Sequence, residues 1–280
     1  MTQRGSILVV NLEKSLKKRG KVNLRAQVKC RVLTTSTQDP AFKTEQVLGI
    51  PIAVLDLAGA IGVIESFLEG DRPQLVVTAN AICAVMAHDD PLFAQEVRSA
   101  GLVTCDGAGT QWALKRMGYH SAPKVTGIDM IEQICRLSSD KGYRLFLLGG
   151  APGIAQEAKD RLELKFPGCN IVGCRDGYFP ADDDDLVATE IASTSPDVIF
   201  IAMGMPRQER FFLKTKEILG AKVGMGVGGA FDVLSGHTKR APEAWQKLKL
   251  EWLWRSILNP KKIKNLKNLP RFMWLVMRSK

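Results

Sequence analysis

"LVTCDGAGT", residues 102 to 110, is the stretch on which the reading of this chain turns. An apolar, β-branched run ends on an acid, Asp106, which is followed at once by glycine. Such a run reads as a buried strand entering a loop. Earlier in the chain "QLVVTAN" (74–80) has the same form, with Thr78 and Asn80 at the close of its apolar part. If the two are neighbouring parallel strands, Thr78, Asn80 and Asp106 meet at one edge of a sheet. That carboxyl edge is where open α/β proteins hold their ligands.

Working outward, further runs recur at the spacing of β–α units: "IPIAVLDL" (51–58), "YRLFLLGG" (143–150), "NIVGCRDG" (170–177), "DVIFIAMG" (197–204) and "KVGMGVGG" (222–229). Several are continuously apolar and end in glycine, as buried parallel strands do. Helical patterns lie between them. In "GIAQEAKDRLELKF" (153–166) Ala155, Ala158, Leu162 and Phe166 share one face. The expected fold is therefore α/β, a mostly parallel Rossmann-like sheet flanked by helices. After residue 238 the strand–glycine punctuation stops, and a basic helical C-terminal appendage is expected.

The longest apolar stretch, "VLGIPIAVLDLAGAIGVIESFL" (47–68), carries Asp56 near its middle. A central acid costs about 2.5–3.5 kcal/mol on membrane insertion, so strand, turn and helix are expected there instead of a bilayer span. The opening apolar run is too short for a secretory signal. The six cysteines form no CxxC pair, and they read as reduced thiols of a cytosolic protein.

The net charge of +10 is unevenly placed. Residues 239–280 hold 12 Lys or Arg against 2 Glu, residues 1–35 hold 9 against 1, and residues 36–238 hold 18 against 26. Three parts are expected: a basic extension (1–45), an α/β catalytic body (46–238) and a basic appendage (239–280). Basic ends point to an anionic surface, membrane or nucleic acid. In the appendage Trp245, Leu248, Trp252 and Leu253 fall near one helical face among lysines. That pattern suits a membrane interface, or a helix packing its tryptophans onto the core with a solvated basic face.

Glycine turns follow three strands: "LLGGAPG" with Gly149 and Gly150, "MGMPRQE", and "GMGVGGAFD" with Gly228 and Gly229. Backbone amides in such turns can approach phosphate, although any α/β protein needs tight turns. Together on one edge they favour a nucleotide or phosphate ligand. Asp106 suits a general base within reach of a substrate, and equally a helix N-cap. Asn80 has the same alternative, as cap of the helix beginning near Ala81. Gln208 and Glu209 read equally as surface residues opening a helix. The acidic run Asp182–Asp185 admits a divalent metal, but helix-terminal dipole and cap effects account for it. No histidine has ligand spacing, so neither a metal nor a cofactor is expected.

Taken together, "VVTANA", "CDGAGTQWALKRMG", "KVTGIDM", "RLFLLGGAPG", "GYF", "MGMPRQE", "GVGGAFDVLSGHTKRAPEAW" and "LEWLWR" resemble, in order, the bacterial WecG/TagA/CpsF glycosyltransferase family over roughly residues 46–260. The resemblance implies an inverting, metal-independent transferase that moves a sugar, commonly of N-acetylmannosamine type, from a UDP-sugar. The acceptor would be a polyprenyl-diphosphate-linked saccharide at the cytoplasmic face of the membrane, in cell-envelope polysaccharide synthesis. It also implies Asp106 as base, with Thr78 and Asn80 in the same pocket and Gln208 against the donor. Lys124 stands where many relatives carry arginine, which keeps the charge but loses the bidentate fork. Arg240 and Arg255 match arginines of the segment that covers the active site in relatives, and Lys261 and Lys262 stand where relatives often have arginine. The expected partners are a UDP-sugar, the lipid-linked acceptor and an anionic membrane surface, with no nucleic acid; the sequence sets no oligomeric state. Two rival readings are an NAD(P)-dependent oxidoreductase, against which the late glycine motif argues, and a basic-tailed nucleic-acid-binding protein.

Overall fold

Six of the seven strand runs join one parallel sheet in the computed structural model, which describes residues 42–120, 123–238 and 268–279. In chain order the elements are β1 (Thr44–Val47), β2 (Ile50–Ala53), α1 (Leu57–Glu69), β3 (Gln74–Ala79), α2 (Ala81–Asp89), α3 (Pro91–Arg98), β4 (Leu102–Cys105) and α4 (Ala108–Arg116). There follow α5 (Gly127–Lys141), β5 (Arg144–Gly149), α6 (Ile154–Lys165), β6 (Asn170–Arg175), a 3-10 turn (Ala181–Asp183), α7 (Asp184–Ala192) and β7 (Val198–Ala202). Next come α8 (Arg207–Leu219), β8 (Val223–Gly226), α9 (Ala230–Leu234) and, last, α10 (Asn268–Arg278).

The first run is the exception. "IPIAVLDL" supplies β2, which pairs antiparallel with β1 in a separate two-stranded hairpin. The reason is local: Leu48 and Gly49 both adopt positive φ, 50° and 86°, as a two-residue hairpin turn requires. Asp56 then starts α1, accepting a hydrogen bond from Gly59 N at 2.7 Å. The acid that argued against a membrane span is thus a helix cap. Asp56→Ala is expected to cost about 1 kcal/mol, readable as a lowered urea midpoint at unchanged slope.

The parallel sheet has the order β4-β3-β8-β7-β5-β6. Alternate residues of each strand face opposite layers. Leu75, Val77 and Ala79 of β3 join Ala84, Phe93, Leu114, Phe211 and Phe212 from α2, α3, α4 and α8. Val76 faces the other way, into Ile64, Ile131, Ile134 and Leu162 of α1, α5 and α6. The expected face of α6 is buried as read, with Ala155, Ala158 and Leu162 in α6 and Phe166 capping it. Where α8 crosses β8 the strand carries glycine, because a Cβ at Gly224 would lie inside the Phe212 ring.

The C-terminal helix α10 packs on α2 and α4. Phe272 is fully buried and meets Trp112 edge-on at 6.4 Å between ring centres. Arg271 forms two hydrogen bonds to the Asp89 carboxylate, at 2.5 and 2.7 Å. Met273, Trp274 and Met277 are exposed, and the Arg278 guanidinium lies 4.6 Å from the Trp274 ring centre. No helix among the described residues is long and apolar enough to cross a membrane.

Candidate active site

The sheet order makes β3 and β4 neighbours, with Thr78 beside Thr104 in register. Residues 76, 78 and 80 and residues 102, 104 and 106 then share one face by the two-residue period of a strand. Asp106 follows the last residue of β4, and its N–H donates to Ala79 O at 2.9 Å. The sheet pairing is thereby carried one residue past the strand. The N-cap of α4 is Gly107, at φ 91°, with no side-chain cap bond. Asp106 therefore stands one position outside that cap. Thr110 anchors the turn from within α4, its hydroxyl donating to Asp106 O (2.9 Å) and Gly107 O (3.2 Å).

Asn80 is the N-cap of α2. Its Oδ1 accepts from Ile82 N at 2.9 Å and Cys83 N at 3.1 Å, which leaves the Nδ2 protons outside the cap. Thr78 is 7% exposed and donates its hydroxyl to Gly226 O at 2.9 Å, tying β3 to β8. The segment after α4 returns along the end of β4, with Val125 N donating to Cys105 O at 2.9 Å. That return brings Lys124 to the same corner. Burial pushes the Cys105 thiol up to about 11; the Thr110 hydrogen bond lowers it, the Asp106 charge raises it and the Lys124 charge lowers it. A carboxylate and an ammonium thus act on one buried thiol at the end of β4. Thr126 then caps α5, accepting from Asp129 N at 3.2 Å.

Gln208 and Glu209 are core residues and not the surface pair that helix position alone allowed, being 2% and 0% exposed. Gln208 Oε1 accepts from Gly204 N and Gly228 N, both at 3.1 Å, and its Nε2 donates to Glu209 Oε1 at 2.7 Å. Burial pushes the Glu209 carboxyl up to about 7, with the Gln208 hydrogen bond opposing. The missed signal was periodic. Gln208, Phe211, Phe212, Thr215 and Leu219 are buried at helical spacing, so the apolar stripe of α8 extends back to its first turn.

The glycine turns divide into two kinds. Gly149 (φ 131°) has its Cα against the Ala202 backbone, where a Cβ would lie 2.5 Å from the carbonyl carbon and oxygen. At Gly150 (φ 74°) a Cβ would meet Ile154 at 2.9 Å. Both are required by internal packing. Gly228 (φ 52°) and Gly204 (φ 78°) have nothing within 4 Å of a Cβ among the described residues, and Gly229 caps the short α9.

With neighbouring strands about 4.8 Å apart, Asp106 on β4 lies about 10 Å from the end of β8, about 14 Å from β7 and about 19 Å from β5. Thr78, Asn80, Asp106 and Lys124 therefore form one group, with Gly228 and Gln208 beyond Thr78 and with Gly149 and Gly150 more remote. A cavity of about 340 Å³ lined by Gly153, Gln156, Cys174, Arg175 and Asp176 lies at the far edge strand, β6. Arg240, Arg255, Lys261, Lys262 and Trp245 to Leu253 lie outside the described residues.

The acidic run is explained by one of its members. Asp184, with a side chain 5% exposed, takes both Arg207 terminal nitrogens, and Arg207 lies over the Phe179 ring at 5.2 Å. Asp183 occupies the N-cap of α7 without a side-chain bond, so the run contributes a buried ion pair and first-turn charge, not a cap. Among the described residues no group of three or more His, Cys, Asp or Glu is placed to hold a metal. Cys83, Cys105, Cys135 and Cys169 are buried free thiols, and Cys174 is half-buried and also free.

Residues 45–280 match the family described as Glycosyl transferase WecG/TagA/CpsF family. The chain belongs to that family. The match to the WecG/TagA/CpsF glycosyl transferases takes in both the sheet and α10. Two similar proteins carry the name N-acetylglucosaminyldiphosphoundecaprenol N-acetyl-beta-D-mannosaminyltransferase. The one from Bacillus spizizenii is 32% identical over 213 residues, 76% of this chain and 82% of its own. The one from Bacillus subtilis is 29% identical over 238 residues, 85% of this chain and 92% of its own. This chain spans most of the length of both of these relatives.

Proposed function

We propose that this glycosyltransferase moves a sugar from a UDP-sugar to a polyprenyl-diphosphate-linked saccharide, with inversion and with Asp106 as general base. The observation that carries the reading is the meeting of Asp106, Lys124, Thr78 and Asn80 at one carboxyl sheet edge. The Asp106 carboxylate takes the proton from the acceptor hydroxyl as that oxygen bonds to the anomeric carbon. The bond from that carbon to the diphosphate breaks, and UDP leaves from the opposite face. Lys124 and the Nδ2 protons of Asn80, which lie outside its cap bonds, suit the anionic donor. Thr78 orients the pocket through its bond to Gly226.

The relatives' names favour N-acetylmannosamine over its uronic acid or a glucose-type donor, and N-acetylglucosaminyl-diphosphoundecaprenol as acceptor. Of the three parts, the α/β body 46–238 carries the chemistry and the basic segment 239–280 the membrane contact. The last, with Arg240, Arg255, Lys261 and Lys262, meets anionic lipid on the inner face of the membrane, where each Lys or Arg contributes about 1 kcal/mol. The exposed Met273, Trp274 and Met277 of α10 supply apolar contact there.

The test is UDP release by the purified protein with a panel of UDP-sugars, with and without polyprenyl-diphosphate-GlcNAc. Acceptor-dependent release with one donor is the expected result. A folded, lipid-bound protein that releases no UDP with any donor, on short or extended lipid-linked acceptors, would overturn the reading.

A further inference from the structure

Gly226 is pressed from two sides. Its carbonyl takes the Thr78 hydroxyl, and its Cα faces α8, where a Cβ would lie 2.5 Å from Gln208 Nε2 and 3.0 Å from Glu209 Oε1. Only glycine at 226 admits both side chains beneath the strand end. Gln208 uses both ends of its amide there: Oε1 on the amides of Gly204 and Gly228, Nε2 on Glu209. Gly204 belongs to the loop after β7 and Gly228 to the loop after β8, so a single oxygen pins two strand-end loops together.

An amide can be turned end for end with little change in shape, and only its partners fix which end points where. With Nε2 facing the loops, both backbone N–H groups would confront donors and lose their acceptor. Glu209 offers Gln208 Nε2 an acceptor oxygen whether ionised or protonated. Its other oxygen, Oε2, is buried without a hydrogen-bond partner among the described residues. An acid with 0% exposure and one unsatisfied oxygen is costly to keep, and the Gln208 contact gives a reason for it. Among the described residues, the charged and titratable groups that act on it are Cys83 on α2, Glu96 on α3 and Arg210 on α8.

We propose that Glu209 is a positioning residue: through Gln208 Nε2 it fixes the Gln208 amide so that Oε1 holds the Gly204 and Gly228 loops together beside the Thr78–Asp106 edge. Gln208 is then a clamp within the protein and does not itself need to touch the donor. The link to catalysis rests on the transferase reading above; the clamp itself does not.

The experiment compares Glu209→Gln with Glu209→Leu in the full chain by amide hydrogen exchange at Gly204 and Gly228. Glutamine copies the protonated acid and keeps an acceptor for Nε2, whereas leucine fills the space without one. The expected result is a loss of protection of roughly tenfold or more at both amides in E209L, and a change within about threefold in E209Q. Glu209→Met serves the same comparison if leucine does not fold. Unchanged protection at both amides in folded E209L or E209M overturns the inference, as does equal loss in E209Q. In the transfer assay, donor KM should rise roughly tenfold in E209L and recover in E209Q. A wild type without transfer, whose amides still respond in this pattern, sinks the transferase reading and leaves the clamp standing.

Discussion

Asp106→Asn should lower the rate of sugar transfer by about 100- to 10,000-fold, the usual worth of a positioned general base, and leave the fold intact. Asparagine has the same shape but cannot take up the acceptor proton. The turn is held by backbone groups that the substitution keeps: Asp106 N bonds to Ala79 O, Thr110 bonds to Asp106 O, and Gly107 provides the turn. Single-turnover transfer and a thermal melt, measured on the same preparation, separate chemistry from folding. Turnover within tenfold of wild type at unchanged melting temperature would remove Asp106 from the role of base.

Gly149→Ala should cost stability heavily. An alanine at φ 131° sits in a region that L residues avoid, at about 1–3 kcal/mol. Its methyl would also lie 2.5 Å from the Ala202 carbonyl, backbone against backbone with no side chain to swing aside. Such overpacking adds about 1–3 kcal/mol. At roughly 2–4 °C per kcal/mol for a chain of this size, the melting temperature should fall by about 4–24 °C. Gly62→Ala, inside α1, is the control, because a Cβ there meets nothing within 4 Å among the described residues. If G149A melts with wild type and instead raises donor KM, then Gly149 is a place of ligand approach and the packing account fails.

The difference between Gly149 and Gly228, both at strand ends, marks how far sequence reading reaches. Apolar runs, five of the six ending in glycine, located β3 to β8 within one residue at their starts and one to three residues at their ends, because continuous apolar runs of that length have few other uses in an α/β chain. The same glycines could not be divided into internal packing and open loop. That depends on which backbone lies opposite, as Ala202 does for Gly149, and strand order is not written in local pattern. The composition of the "IPIAVLDL" run is that of a parallel strand, which is why pattern alone assigns it to the sheet. A two-residue turn at Leu48 and Gly49 turned it into a hairpin. Asp106 and Asn80 both allowed a cap or a ligand role from sequence. The geometry gives Asn80 the cap and passes over Asp106 for Gly107. Glu209 was hidden for another reason: an acid in the first turn of a helix suits the dipole, and that explanation looks complete until the whole helix face is followed.

The hydrogen bond from Thr78 to Gly226 joins residues 148 apart in the chain. Strand β3 is made early, yet one of its two neighbours is β8, the last strand of the sheet. At about 5–20 residues per second of synthesis, β3 waits about 7–30 seconds on the ribosome with that side unpaired. An unpaired strand edge invites other chains. The edge that carries Thr78 and Asp106 is completed only when the sheet is. A growing chain of this protein cannot begin to bind through that edge before β8 has been made.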